Sequence, residues 1–252
     1  MLLDPEFVQR LETALPVSDT EGRRAGRRTP RSDAPFRLGR RTEPTRKSSR
    51  LERLLIRLFR LENTTLHVLL DASLAMTFSG YTPPEPSLKF DFARRFTAAL
   101  GYAATLREQR FEVTTLAPAR GQRSPVVNRP EDMEGLIHYL EGLRAGGTRN
   151  FAWALRKRIR RTARRSLILL LSDFRDRNWE WGALALLTGE ARIVLIHLMD
   201  RSEMQEGSQG LRLEDDIRQR LAELAQRYQM EYLIVPTDTP FEEVFLHAAE
   251  DR

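Results

Sequence analysis

From Leu66 onward, short apolar runs rich in Leu, Val and Ile alternate with longer stretches in which apolar residues recur at helical spacing. The runs Leu66 to Asp71, Phe111 to Leu116, Leu167 to Leu171, Arg192 to Leu198 and Glu231 to Val235 predict five strands, with a sixth over Pro125 to Asn128. Helical period predicts helices over Ser87 to Glu108, Glu131 to Leu143, Asn150 to Arg164, Trp181 to Leu187, Leu213 to Tyr228 and Phe241 to Ala249. Strands apolar on both faces and separated by helices form mostly parallel, helix-covered sheets, so the pattern predicts an α/β protein with a doubly wound sheet. The division expected is an N-terminal helix and arm over residues 1–60 and one α/β domain over 61–252.

Charge sharpens that division. The net charge of +6 is unevenly spread: residues 21–60 hold fourteen Lys or Arg against four acids, leaving the remainder at net −4. This segment is also rich in Pro, Ser, Thr and Gly and poor in large apolar residues before Leu51, which predicts a weakly ordered arm. It reads either as a solvated arm or as a patch for nucleic acid, anionic lipid or an acidic partner; with only Phe36 and Phe59 interleaved, base stacking has little to work with. The predicted helix over Asn150 to Arg164 adds Arg156, Lys157, Arg158, Arg160, Arg161 and Arg164 around a stripe of Phe151, Leu155 and Ile159.

The chain has no cysteine, which excludes disulfides and thiolate metal sites. Its longest apolar runs fall far short of the roughly 20 residues that span a bilayer. The opening Met1-Leu2-Leu3-Asp4-Pro5-Glu6 lacks the basic and apolar regions of a secretion signal, so a cytoplasmic location is expected.

Candidate chemistry belongs just after the strands, where open parallel sheets collect functional groups. The first strand runs into Asp71-Ala72-Ser73-Leu74-Ala75-Met76, which delivers a carboxylate and a hydroxyl two residues apart. Ser172-Asp173 follows the most apolar strand, and Gly146-Gly147-Thr148 offers a further hydroxyl from a flexible turn. Oxygen ligands of this kind suit hard cations such as Mg²⁺ or Mn²⁺. Singly, each has a plainer role: Thr148 or Asn150 would cap the following helix, and Asp173 would open a turn.

A D-x-S-x-A-M loop, a later Gly-Gly-Thr and a strand ending in Ser-Asp resemble the pattern of von Willebrand factor A-like domains, and the chain is similar to the domain-of-unknown-function 58 family within that group. The likeness extends to Leu3-Asp4-Pro5-Glu6-Phe7, Phe59 to Thr65, Lys89-Phe90-Asp91, the D-x-x-E of Asp200 and Glu203, and Tyr232 to Pro240. It implies a Rossmann-type sheet of order 3-2-1-4-5-6, with the strands ending at Asp71 and Asp173 side by side. It also implies a metal-ion-dependent adhesion site whose cation ligands are Asp71, Ser73, Thr148 and Asp173, with one position left for a partner's Asp or Glu. Ala75 stands where a second loop hydroxyl belongs, so weaker binding of Mg²⁺ or Mn²⁺ is expected from a degenerate site. Family members are often encoded beside MoxR-type AAA+ ATPases, which implies an adaptor or protein-interaction role without catalysis.

Two other classes compete. The basic segment would suit a nucleic-acid or membrane-surface binder. A metal-dependent phosphohydrolase would use a strand-terminal aspartate such as Asp71 as nucleophile, but that chemistry needs a second acid two residues on, where Ser73 stands. The four histidines lack metal-ligand spacing, and His67 and His197 fall inside apolar strands, as packed core residues do. No catalytic residue is expected.

Overall fold

The computed structural model describes residues 2–15, 49–61, 64–77, 88–116, 124–147, 166–175, 191–204 and 211–251. The basic arm before Ser49, the predicted helices Asn150 to Arg164 and Trp181 to Leu187, and Thr148 lie outside the described residues.

The chain begins with helix α1 (Pro5–Ala14), where the Asp4 carboxylate accepts from the Glu6 and Phe7 amides and Pro5 opens the first turn. Helix α2 (Arg50–Phe59) starts at a capping box: Ser49 Oγ accepts the Glu52 amide, and the Glu52 carboxylate accepts the Ser49 amide. Leu51, Leu54, Leu55, Leu58 and Phe59 on its inner face are buried.

Strand β1 (Thr65–Leu70) leads to helix α3 (Leu88–Leu106), strand β2 (Arg110–Thr115) and helix α4 (Met133–Gly142). Strand β3 (Ser166–Ser172), strand β4 (Arg192–Met199), the one-turn helix α5 (Arg201–Met204), helix α6 (Leu211–Arg227), strand β5 (Glu231–Pro236) and helix α7 (Phe241–Glu250) complete the described elements. The five strands form one parallel sheet in the order β2-β1-β3-β4-β5.

The sixth predicted strand is reduced to a single antiparallel bridge between Val127 and Phe111. Pro125 has no amide to donate to a ladder, and the neighbouring contacts come instead from Ser124, whose hydroxyl accepts the Val113 amide while its own amide reaches the Val113 carbonyl. Counting that segment at the edge beside β2 gives the sheet order implied by the resemblance.

Alternation along the strands divides the core. Leu66, Val68 and Leu70 of β1, Leu167, Leu169 and Leu171 of β3, and Val194, Ile196 and Leu198 of β4 pack on one face with buried residues of α1, α2, α3, α4 and α7. Leu69, Ile168, Leu170, Ile193 and Leu195 face the other way, against Ile217, Leu221 and Ala225 of α6. Apolar side chains on both faces explain why the strands read as nearly continuous hydrophobic runs. A phenylalanine cluster joins α3 and α7: Phe96 meets Phe245 edge-on at 5.5 Å and Phe241 at 5.9 Å.

Helix α3 ends two residues earlier than periodicity predicts. Glu108 takes a left-handed conformation, φ 52°, and the Gln109 amide turns back to the Ala104 carbonyl. The Gln109 side-chain amide then donates to the Leu58 and Leu61 carbonyls, satisfying groups at the C-terminal end of α2. Among the described residues, no helix is long and apolar enough to cross a membrane.

Candidate functional site

Parallel pairing sets the site. Leu70 of β1 lies opposite Leu171 of β3, so the chains leaving the two strands do so side by side, at Asp71 and at Ser172-Asp173. The Asp71 amide still bonds the Leu171 carbonyl at 3.0 Å, which carries the ladder one residue past the end of β1.

Asp71 is fully buried, and each of its carboxylate oxygens has a donor: Oδ1 accepts the Ser73 amide at 2.9 Å and Oδ2 accepts the Ser172 hydroxyl at 2.6 Å. The first bond bends the chain into the short helical turn Leu74–Thr77, and the second ties the two strand ends together. Ser172 Oγ accepts the Phe174 amide in turn, and Asp173 Oδ1 accepts the Arg175 amide. Phe174 adopts a left-handed conformation, φ 52°, within this tight turn.

The Gly-Gly loop comes to the same place. The Gly146 amide donates to the Ala72 carbonyl at 2.9 Å, and the Gly147 carbonyl accepts the Leu74 amide at 3.2 Å. Gly147 sits at φ 69°, where a side chain would be strained. Asp71, Ser73 and Asp173 therefore gather at adjoining loop starts, with the residue preceding Thr148 bonded to the Asp71 loop.

An oxygen-ligand cation matches this donor set in kind. Ser73 Oγ is buried and has no hydrogen-bond partner among the described residues. Asp71 and Asp173 supply carboxylates, and Ala75 supplies no oxygen. One feature opposes a cation: the Lys89 ammonium, wholly buried at the start of α3, stands 3.9 Å from Asp173 Oδ2 and 2.7 Å from Glu203 Oε1.

Lys89 belongs to a charge network that sequence reading missed. The Arg175 guanidinium bridges Glu203 Oε1 at 2.6 Å and Glu214 Oε1 at 2.5 Å, and Glu203 Oε2 accepts the Asp200 amide. Two cations and the carboxylates of Asp173, Glu203 and Glu214 thus connect α3, the end of β3, α5 and α6. Burial would lower the Arg175 guanidinium, but Glu203 and Glu214 outweigh it and raise its pKa. Burial raises Glu214 despite the opposing pull of Arg175.

The signals for this network in the sequence were faint: Lys89 as a cation between Leu88 and Phe90 at a helix start, and Glu203 three residues after Asp200. Beside the network, His197 is buried with its Nδ1 2.8 Å from the Tyr232 hydroxyl and its ring edge-on to Phe174. Burial, reinforced by the charges of Lys89 and Arg175, lowers its pKa to about 3. His67 is also buried, bonded through Nε2 to Thr114 Oγ1 at 3.0 Å.

The fold resembles the crystal structure of the conserved hypothetical protein BatB from Bacteroides thetaiotaomicron, at 13% identity and a TM-score of 0.50, over 75% of this chain and 98% of that one. An aerotolerance-related membrane protein from Bacteroides fragilis NCTC 9343 aligns at 14% identity and a TM-score of 0.48, over 76% and 100% of the two chains. The pilus adhesin SpaC from Lactobacillus rhamnosus GG aligns at 10% identity and a TM-score of 0.49, over 76% of this chain and 30% of the adhesin. No curated protein matches the chain. The sequence pattern described as "Protein of unknown function DUF58" matches residues 45–230, nearly three-quarters of the molecule, and the chain belongs to that family.

Proposed function

We propose that this chain is a non-catalytic protein-interaction or adaptor module whose strand-end loops hold a weak divalent cation, Mg²⁺ or Mn²⁺. Asp71, Ser73, Thr148 and Asp173 are the ligands in this reading, and an Asp or Glu of the partner completes the coordination. The observation that carries it is the buried Ser73 hydroxyl, which finds no partner among the described residues while lying beside two carboxylate-bearing loops. A cation bound there would supply one positive charge centre for a partner carboxylate, with the protein contributing only ligands and position. A MoxR-type AAA+ ATPase is the proposed partner, a reading supported by the family resemblance, and the cytoplasm is the proposed location.

Calorimetric titration with Mg²⁺ and Mn²⁺ tests the cation. The chain is expected to bind weakly, Ala75→Ser more tightly, and Asp173→Asn not measurably; absence of binding by both the chain and Ala75→Ser defeats the assignment. Phosphatase turnover abolished by Asp71→Asn would overturn the non-catalytic reading. For the partner, co-purification with an AAA+ ATPase that weakens on chelation is the expected result.

A further inference from the structure

A second binding feature lies away from these loops, between α2 and β5. The groove there has a volume of about 580 Å³; Arg50, Arg53 and Arg57 line one side, and Glu231, Tyr232 and Leu233 line the other. We propose that this groove binds an acidic segment of a partner protein in extended conformation, added as a strand beside β5.

Three observations converge on that ligand. First, β5 ends the sheet: among the described residues it pairs with β4 alone. The outer backbone of such an edge strand offers amides and carbonyls to an added strand. Second, the three arginines share one face of α2, spaced three and four residues apart. Arg57 bonds the Glu231 carboxylate at 2.5 Å, and Arg192 approaches the same carboxylate at 3.7 Å. Three guanidinium groups therefore line the groove, and its acidic lining residue, Glu231, already has two cationic neighbours. Third, Ile56 and Met230 add apolar lining to the groove, suited to every second side chain of a strand whose alternate residues are acidic.

Other occupants fit less well. The Tyr232 ring is stacked on His197, with its hydroxyl bonded to the same histidine, so one of its two faces is closed to a nucleic-acid base. The chain's own residues 16–48 carry ten Lys or Arg against four acids and match the arginine wall in sign.

The test uses the full chain and a short fluorescein-labelled peptide of alternating Glu and Val, read by fluorescence anisotropy at low salt. Binding is expected, with slowed amide exchange at residues 231–235. Reversing the exposed Arg50 and Arg53 to Glu, with folding checked by circular dichroism, is expected to weaken binding at least about tenfold. Methylating alternate peptide nitrogens keeps the charges and removes strand donors, and is expected to weaken binding by a similar factor. No binding, binding indifferent to charge reversal or to N-methylation, equal binding of a Lys-Val peptide, or tighter binding of a single-stranded oligonucleotide or phosphatidylglycerol vesicles would each overturn the proposal.

Discussion

The strand-end site and the α2–β5 groove both concentrate charge, yet they hold it in opposite ways. At the strand ends Asp173, Lys89, Glu203 and Glu214 are buried and closed into a network with Arg175, so each charge is set against another within the fold. At the groove, Arg57 keeps 45% of its side-chain surface exposed and bonds Glu231, with Arg50 and Arg53 on the same exposed helix face. A buried charge without its partner is costly, so the first arrangement is tied to folding itself. An exposed one is solvated and screened, so the second remains available to a partner at little cost to stability.

The largest effect should come from Lys89→Met. Deleting one member of a buried pair leaves its carboxylates under-compensated, and urea denaturation should show a loss of about 3–5 kcal/mol. A loss below about 1 kcal/mol would mean that the network is solvated after all, and the comparison would collapse.

His197 comes next. Its pKa of about 3 in the fold lies below the ordinary value of 6.5, so the unfolded chain takes up the proton first. The corresponding stability is intact above pH 6.5 and is lost as pH falls toward 3, at about 1.4 kcal/mol per pH unit. Denaturation measured across this window should show a shallower pH dependence for His197→Leu than for the parent chain.

Asp71→Asn keeps shape while removing the charge that accepts from Ser73 and Ser172, and should cost about 1.5–3 kcal/mol in the same assay. Least affected should be Arg57→Ala at the groove: breaking its bond to Glu231 should change stability by no more than about 1 kcal/mol. An Arg57 effect as large as that of Lys89 would show that the groove is a structural element and would remove the contrast.

The fold was legible because local pattern and global topology agree. All five strands read from apolar runs are strands, and runs such as Ser166-Leu167-Ile168-Leu169-Leu170-Leu171 announce burial on both faces. The placement of Asp71 and Asp173 after strands was legible for the same reason, since parallel sheets send successive strand ends to one edge. Pro125 to Asn128 misled because β-branched Val126 and Val127 suggest a strand, whereas the missing proline amide and the Ser124 contacts leave one bridge. Residues whose roles depend on distant partners were not legible: Lys89 meets Glu203 across 114 positions, and Arg175 meets Glu214 across 39.

Residue order alone therefore determined the alternation of strands and helices, the concentration of positive charge in residues 21–60, and the oxygen-bearing residues at strand ends, because these depend on periodicity and composition within short windows. Tertiary structure alone decided that Asp71 is closed by Ser172, that a lysine stands beside Asp173, and that three arginines of α2 face the edge of the sheet. Those facts depend on which elements pack together, and a side chain's energetic role is set by the groups that burial brings within a few ångströms of it.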